Sequence, residues 1–403
     1  MTAIDHARAV GTGTFRATPH MRHLVKTVLD SGRISYGRLS LAFEKRFAAL
    51  HGCQYAILSN SGTSALQVAL QSLKEIHHWS DGDRVIVPAT TFVATANIVL
   101  HNRMVPTFVD VDPETYNIDP ALIPDAITDN TRAIIPVSLF GQPANLSWVR
   151  SIADHNGLKV IEDSCETMFV RHEGRPVGSW GEIACFSTYV AHLLVTGVGG
   201  LSTTNNPDYA AKMRSLVNHG MSLDCLNPGE NFSPQAMAGR RFRFESAGHS
   251  FRITELEAAL GLAQLDGVDE LLAVRRRNAR HITAGLENIN RNYPAREPFQ
   301  LPTVAPGNEC AWMMYPIVLR QGGRKESLMA HLNAHGIETR DMLPLINQPA
   351  FRYLRQGDYP VSANLIENGL YVGCHQDLAP EDIGYMVDCF GRWCSPDYQG
   401  IYL

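Results

Sequence analysis

Ser59–Leu66, SNSGTSAL, joins an apolar run to a helical one, and its Gly62, Thr63 and Ser64 offer free backbone amides and hydroxyls at a helix start. Unpaired N–H groups there favour a phosphate, although the same turn can serve only as the helix's own cap. Asp163 ends the run LKVIED, the place where α/β sheets hold ligand-binding side chains and where acids also cap helices. His192 carries an imidazole that moves protons near neutral pH, or serves as a satisfied structural histidine. In AGRRFRF, Arg240 and Arg241 stand with Arg243; guanidinium groups match the charge and geometry of a diphosphate, and equally make a solvated face or a subunit contact. His219, in VNHG, is a further polar candidate at a helix end, where histidines also serve structure alone.

These residues need a frame, and apolar runs alternating with helical periods supply one. YAILSN, RVIVPA, VPTFVDV, RAIIPVSL and LKVIED read as strands, and SALQVALQSLKEI, LSWVRSIADHN and DYAAKMRSLVNH as helices. The expected architecture is α/β, with a mostly parallel sheet covered by helices on both faces. A long helical stretch from Thr254 to Ile289 connects this lobe (1–265, with an N-terminal helical segment) to a smaller C-terminal α+β lobe (266–403), which holds the strand MMYPIVL and the helix KESLMAHLNAHG.

Composition bounds the function. With 403 residues, 45% of them hydrophobic, the chain can bury a substantial core. Its net charge of -5 argues against a nucleic-acid partner. No apolar run approaches the roughly 20 residues of a membrane helix, and MTAIDHARAV lacks a signal pattern, so a cytoplasmic location is expected. Eight cysteines without CxxC spacing read as reduced thiols, and neither an iron-sulfur cluster nor another catalytic metal is expected.

The segment CFSTYVAHLLVTGVGG (Cys185–Gly200) resembles the lysine motif of the sugar aminotransferase-like (DegT/DnrJ/EryC1/StrS) family of fold-type I pyridoxal-phosphate enzymes, with His192 in the lysine slot. Imidazole has no primary amine and cannot form the family's covalent imine. One branch, the nucleotide-sugar 3-dehydratases, carries histidine at this place. IEDSCETM (Ile161–Met168) is similar to that branch's EDxCESM rather than the aminotransferases' EDAAQA, and GLYVGCHQ (Gly369–Gln376) is similar to its GLFVGNHQ. None of the six lysines lies in a recognisable cofactor motif.

The resemblance implies non-covalently bound pyridoxal or pyridoxamine phosphate. Gly62, Thr63, Ser64 and Ser187 would meet the phosphate. Phe92 would stack on the ring, although an isolated Phe after a strand is also ordinary core. Asp163 would pair with the ring nitrogen and Glu166 would lie near the phenolic oxygen. Arg252 and Arg340 match family arginines near the substrate, and Ser250 stands where an asparagine usually reaches the neighbouring subunit's phosphate. Four departures are Phe92 for the 3-dehydratases' tryptophan (a conservative change for stacking), Ser250 itself, Val198 for the glutamate of GEGG, and Leu193 for a second histidine.

The implied activity is 3-dehydration of a nucleotide-activated 4-keto-6-deoxyhexose by a homodimer with shared active sites. L-Glutamate would regenerate the amine, and His192 and Asp163 would be the catalytic pair. Two alternatives are a lysine-free enzyme that deaminates or decarboxylates a non-sugar substrate, and an inactive cofactor-binding relative.

Overall fold

The computed structural model describes residues 9–223, 242–293, 298–343 and 345–395. In chain order the strands are β1 (Tyr55–Ser59), β2 (Arg84–Pro88), β3 (Val105–Val109), β4 (Thr131–Ile134), β5 (Lys159–Asp163), the short pair β6 (Arg171–His172) and β7 (Arg175–Pro176), β8 (Ile183–Ser187) and β9 (Gly200–Thr204). A seven-stranded sheet forms in the order β1-β9-β8-β5-β4-β2-β3. Within it β9 pairs antiparallel with both neighbours and the remaining pairs are parallel.

Side chains alternate across this sheet with the period of two that a strand imposes. Ile57, Val85, Val87, Ala133, Ile161 and Ile183 pack with Leu66, Leu70 and Leu73 of the helix Gly62–Ile76. On the other face Ile86, Ile134 and Val160 meet Val149 and Ile152 of the helix Leu146–His155, while Ala56, Leu58, Ala184 and Phe186 meet Phe43 and Phe47 of the helix Arg38–Leu50. Both faces are covered, so the central strands read as nearly continuous apolar runs.

The expected long helix is two helices, Glu255–Gln264 and Val268–Asn292, parted by a 3-10 turn at Leu265–Gly267. Glycine at the junction carries a cost in a helix interior, and periodicity alone does not register it. The smaller sheet is antiparallel, in the order β10-β11-β13-β12, from β10 (Phe299–Gln300), β11 (Met314–Leu319), β12 (Thr339–Asp341) and β13 (Gly369–Gly373). Val10 joins its core and bridges to Ile337. The N-terminal segment then passes the loop holding His192: a Cβ on Gly13 would lie 2.8 Å from the Ala191 Cα.

His51 is fully buried against the rings of Phe47, Phe169 and Phe186, with Nδ1 2.9 Å from the Phe47 carbonyl oxygen. Burial lowers its imidazole to about 4. The unfolded chain, with histidine near 6.5, takes up this proton first as pH falls, so native stability is lost between about 6.5 and 4. The loss from His51 alone is on the order of 3 kcal/mol. The urea midpoint of the wild type should fall as pH drops through that window, and His51→Phe should flatten the slope.

Candidate active site

The C-terminal ends of β5 and β8, the starts of two helices and the edge of the smaller sheet enclose a cavity of about 350 Å³. Gly62, Thr63, Phe92, Asp163, Glu166, Ser187, His192 and Arg340, all singled out from sequence, line it.

Asp163 is placed by the last residue of β5 and is 4% exposed. Its Oδ2 accepts from Thr95 Oγ1 at 2.8 Å and its Oδ1 from the Cys165 amide at 3.3 Å. Thr91 and Thr95 hydroxyls lie 2.7 Å apart one helical turn from each other, continuing the chain of hydrogen bonds. Burial raises the Asp163 carboxyl, and these donors oppose that rise. Glu166 has one hydrogen-bond partner among the described residues, the Phe140 amide, which donates to Oε2 at 2.9 Å. Burial first, and Asp163 in the same direction, push its carboxyl up to about 7.

His192 sits in a loop closed by Thr188 and Thr196, whose hydroxyls lie 2.5 Å apart, and pinned by Gln264, which bonds both the amide and the carbonyl of Val195. Its Nδ1 is buried with no hydrogen-bond partner among the described residues. Burial lowers the imidazole to about 4, Arg275 acting in the same direction. The Tyr189 backbone opposes that shift, and the ring is a neutral base at the edge of the cavity.

The phosphate-type turn is the start of the helix Gly62–Ile76. Ser61 caps it, accepting from the Ser64 amide at 3.0 Å. Ser64 is absent from the cavity lining, and its hydroxyl donates to Asn60 Oδ1 at 2.7 Å inside the turn. Gly62 is required by space: a Cβ would come 2.7 Å from Ser187 Cβ and 2.8 Å from Cys165 Sγ. Gly62→Ala should cost about 1–3 kcal/mol by overpacking and weaken phosphate-bearing ligands, read as a lower thermal midpoint and a higher Kd for pyridoxamine phosphate.

Phe92 is 59% exposed at the rim, which separates it from the core. Arg340, from β12, reaches the cavity while its Nε and Nη2 bond Glu338 Oε1 at 2.9 and 2.7 Å. None of the six lysines lines the cavity. Lys26, Lys74, Lys159, Lys212 and Lys325 each pair with a carboxylate, and Lys45 is exposed on its helix.

His219, Ser250 and Arg252 are gathered elsewhere. Arg252 Nη2 lies 2.9 Å from Ser250 Oγ and 3.1 Å from His219 Nε2, and none of the three lines the cavity. Arg240 and Arg241 lie outside the described residues. Of the departures, Leu193 is buried in the core and Val198 is exposed. Sequence reading missed Thr95, for which the Thr91/Thr95 spacing of one helical turn was an available signal, and Met313 and Tyr371, which only the packing of the smaller sheet brings in.

Among the described residues, no group of three metal-ligating side chains occurs and no helix is long and apolar enough to cross a membrane. The fold is that of the fold-type I pyridoxal-phosphate transferases. Residues 17–391 match the DegT/DnrJ/EryC1/StrS aminotransferase family, and the chain belongs to it. GDP-perosamine synthase of Caulobacter vibrioides is 34% identical over 91% of this chain and 93% of its own length. The lipopolysaccharide biosynthesis protein RfbH of Salmonella typhimurium is 30% identical over 94% and 90%. The structure of E. coli GDP-4-keto-6-deoxy-D-mannose-3-dehydratase with bound hydrated PLP superposes with a TM-score of 0.84 at 25% identity, covering 94% of this chain and 98% of that one.

Proposed function

We propose that this protein is a lysine-free 3-dehydratase that uses pyridoxal and pyridoxamine phosphate to deoxygenate a nucleotide-linked 4-keto-6-deoxyhexose, with glutamate as amino donor. The observation that carries this reading is a neutral His192 sharing one cavity with the buried acid Asp163, while no lysine lines that cavity. The residues fit the cofactor: Gly62, Thr63 and Ser187 would hold its phosphate, Phe92 its ring face, and Asp163 the proton on its ring nitrogen. Ser64 supports the turn from behind.

When bound, the cofactor supplies an amine that condenses with a carbonyl and a ring that accepts electrons from a breaking C–H bond. His192 is the free base at neutral pH, so it can accept that proton on an imidazole nitrogen. Once protonated, it is the acid that can donate to the departing C3 hydroxyl oxygen. An aminotransferase needs an amine from the protein to displace the amino sugar, and position 192 offers none. The family is described as one of aminotransferases while a structural relative is a dehydratase, and the residue at 192 is what favours the second chemistry here.

Arg340 would meet the substrate end of the cavity. Ser250, Arg252 and His219 lie apart from it, where a second copy in a homodimer can use them. The test is the absorption spectrum of the protein with pyridoxal phosphate before and after glutamate, with borohydride treatment and intact mass in parallel. Conversion to the pyridoxamine form without a trapped protein adduct, followed on addition of a nucleotide 4-keto-6-deoxyhexose by release of the glutamate-derived nitrogen as ammonia and formation of the 3-deoxy ketone, is the expected result. A covalent adduct on the protein would overturn it.

A further inference from the structure

Two carboxyl groups share the floor of the cavity, and their surroundings are unequal. Asp163 has both oxygens engaged, by the Thr95 hydroxyl and by the Cys165 amide. Glu166 has a single donor, the Phe140 amide on Oε2, and its Oε1 has no hydrogen-bond partner among the described residues. Donors stabilise the ionised form of a carboxyl, and two like charges in one poorly hydrated cavity do not both ionise readily. When neighbouring titratable groups are pushed apart in this way, the less supported one keeps the proton.

The other titratable or charged groups lining the cavity are Cys165 beside it in the chain, Tyr189 and His192 from the loop, and Arg340 and Tyr371 from the smaller sheet. Arg340 is committed to Glu338, so no unshared cation among the lining residues offsets a second negative charge. Position 166 also falls where the aminotransferase pattern EDAAQA has glutamine, a neutral side chain of the same shape.

We infer that Glu166 carries the proton of the Asp163–Glu166 pair in the working enzyme, and that its Oε1 donates this proton in a hydrogen bond to an anionic oxygen on the cofactor. The inference rests on the cofactor reading above and goes beyond it by assigning a protonation state and a donor role. It makes Glu166 an acid-form switch: loss of its proton places a second negative charge beside Asp163, facing the same ligand oxygen.

The burial that pushes Glu166 up to about 7 sets the window for the test. Pyridoxamine phosphate binding is titrated from pH 6 to 9 for the wild type and Glu166→Gln, and the ratio of the two dissociation constants cancels the ligand's own ionisations. Binding to the wild type should weaken relative to Glu166→Gln by about tenfold per pH unit above the Glu166 pKa, the slope for one proton. A flat ratio overturns the inference while leaving the cofactor reading intact. Infrared spectra of both proteins without ligand give an independent readout. A protonated carboxyl band present at pH 6, lost by pH 9 and missing from Glu166→Gln supports the assignment, and identical spectra for the two proteins overturn it even if no cofactor binds. Thermal midpoints within a few degrees of each other establish that the variant folds.

Discussion

Replacing His192 by asparagine should leave pyridoxal phosphate binding within a few fold of the wild type and cut the glutamate half-reaction and the sugar dehydration together by about 10²–10⁴, the usual worth of a positioned acid–base group. The imidazole's Nδ1 has no partner among the described residues, and its loop is held by Thr188, Thr196 and Gln264. The loop is thus anchored by groups other than the ring, and the fold should tolerate its loss. Pre-steady-state absorbance with glutamate measures the half-reaction, and ammonia release measures the dehydration. A variant that retains the wild-type rate would remove His192 from the chemistry. His192→Lys is the sharper companion: an amine restored at this position should yield a borohydride-trapped adduct by intact mass, where the wild type yields none. Failure of the lysine variant to trap would mean that position 192 does not face the aldehyde.

The frame of this site was legible in the sequence because its signals are local. A period of two in the strands, a period of 3.6 in the helices and the Ser61-capped turn each depend on neighbouring residues. Asp163 was legible for the same reason, since a strand's last residue points where ligands bind. Phe92 was ambiguous until its exposure at the rim set it apart from the core. Thr95 was hidden because a threonine on a helix has many duties, and only the 2.8 Å contact with Asp163 distinguishes this one. Met313 and Tyr371 arrive through the packing of a second sheet, which no local pattern encodes, whereas Arg340 on β12 was reached through the family resemblance. The break at Leu265–Gly267 escaped because the apolar period continues across it. Ser250, Arg252 and His219 form a set of their own, so the resemblance-based roles of Ser250 and Arg252 wait on a second copy of the chain.

Asp163→Asn should have the other large effect. The amide keeps the shape of the carboxylate but removes the charge that would hold a proton on the ring nitrogen, so the glutamate half-reaction should fall by about 10²–10³, as when one preorganised electrostatic contact is lost. Cofactor binding should survive better than catalysis, because the phosphate turn at Gly62 and Thr63 stands on a different element. Thr95→Val tests the same logic from behind. Removing one hydrogen bond to a charged group costs about 1.5–3 kcal/mol, which corresponds to roughly a 10- to 100-fold change in equilibrium. Without the Thr95 donor, the Asp163 carboxylate competes harder for the proton it would share with the ring nitrogen. The direction of that change can be read in the cofactor's absorbance: the protonated fraction of the bound ring near neutral pH should fall in Thr95→Val and fall further in Asp163→Asn. An unchanged ring titration in both variants would assign the electron-sink role to some other group.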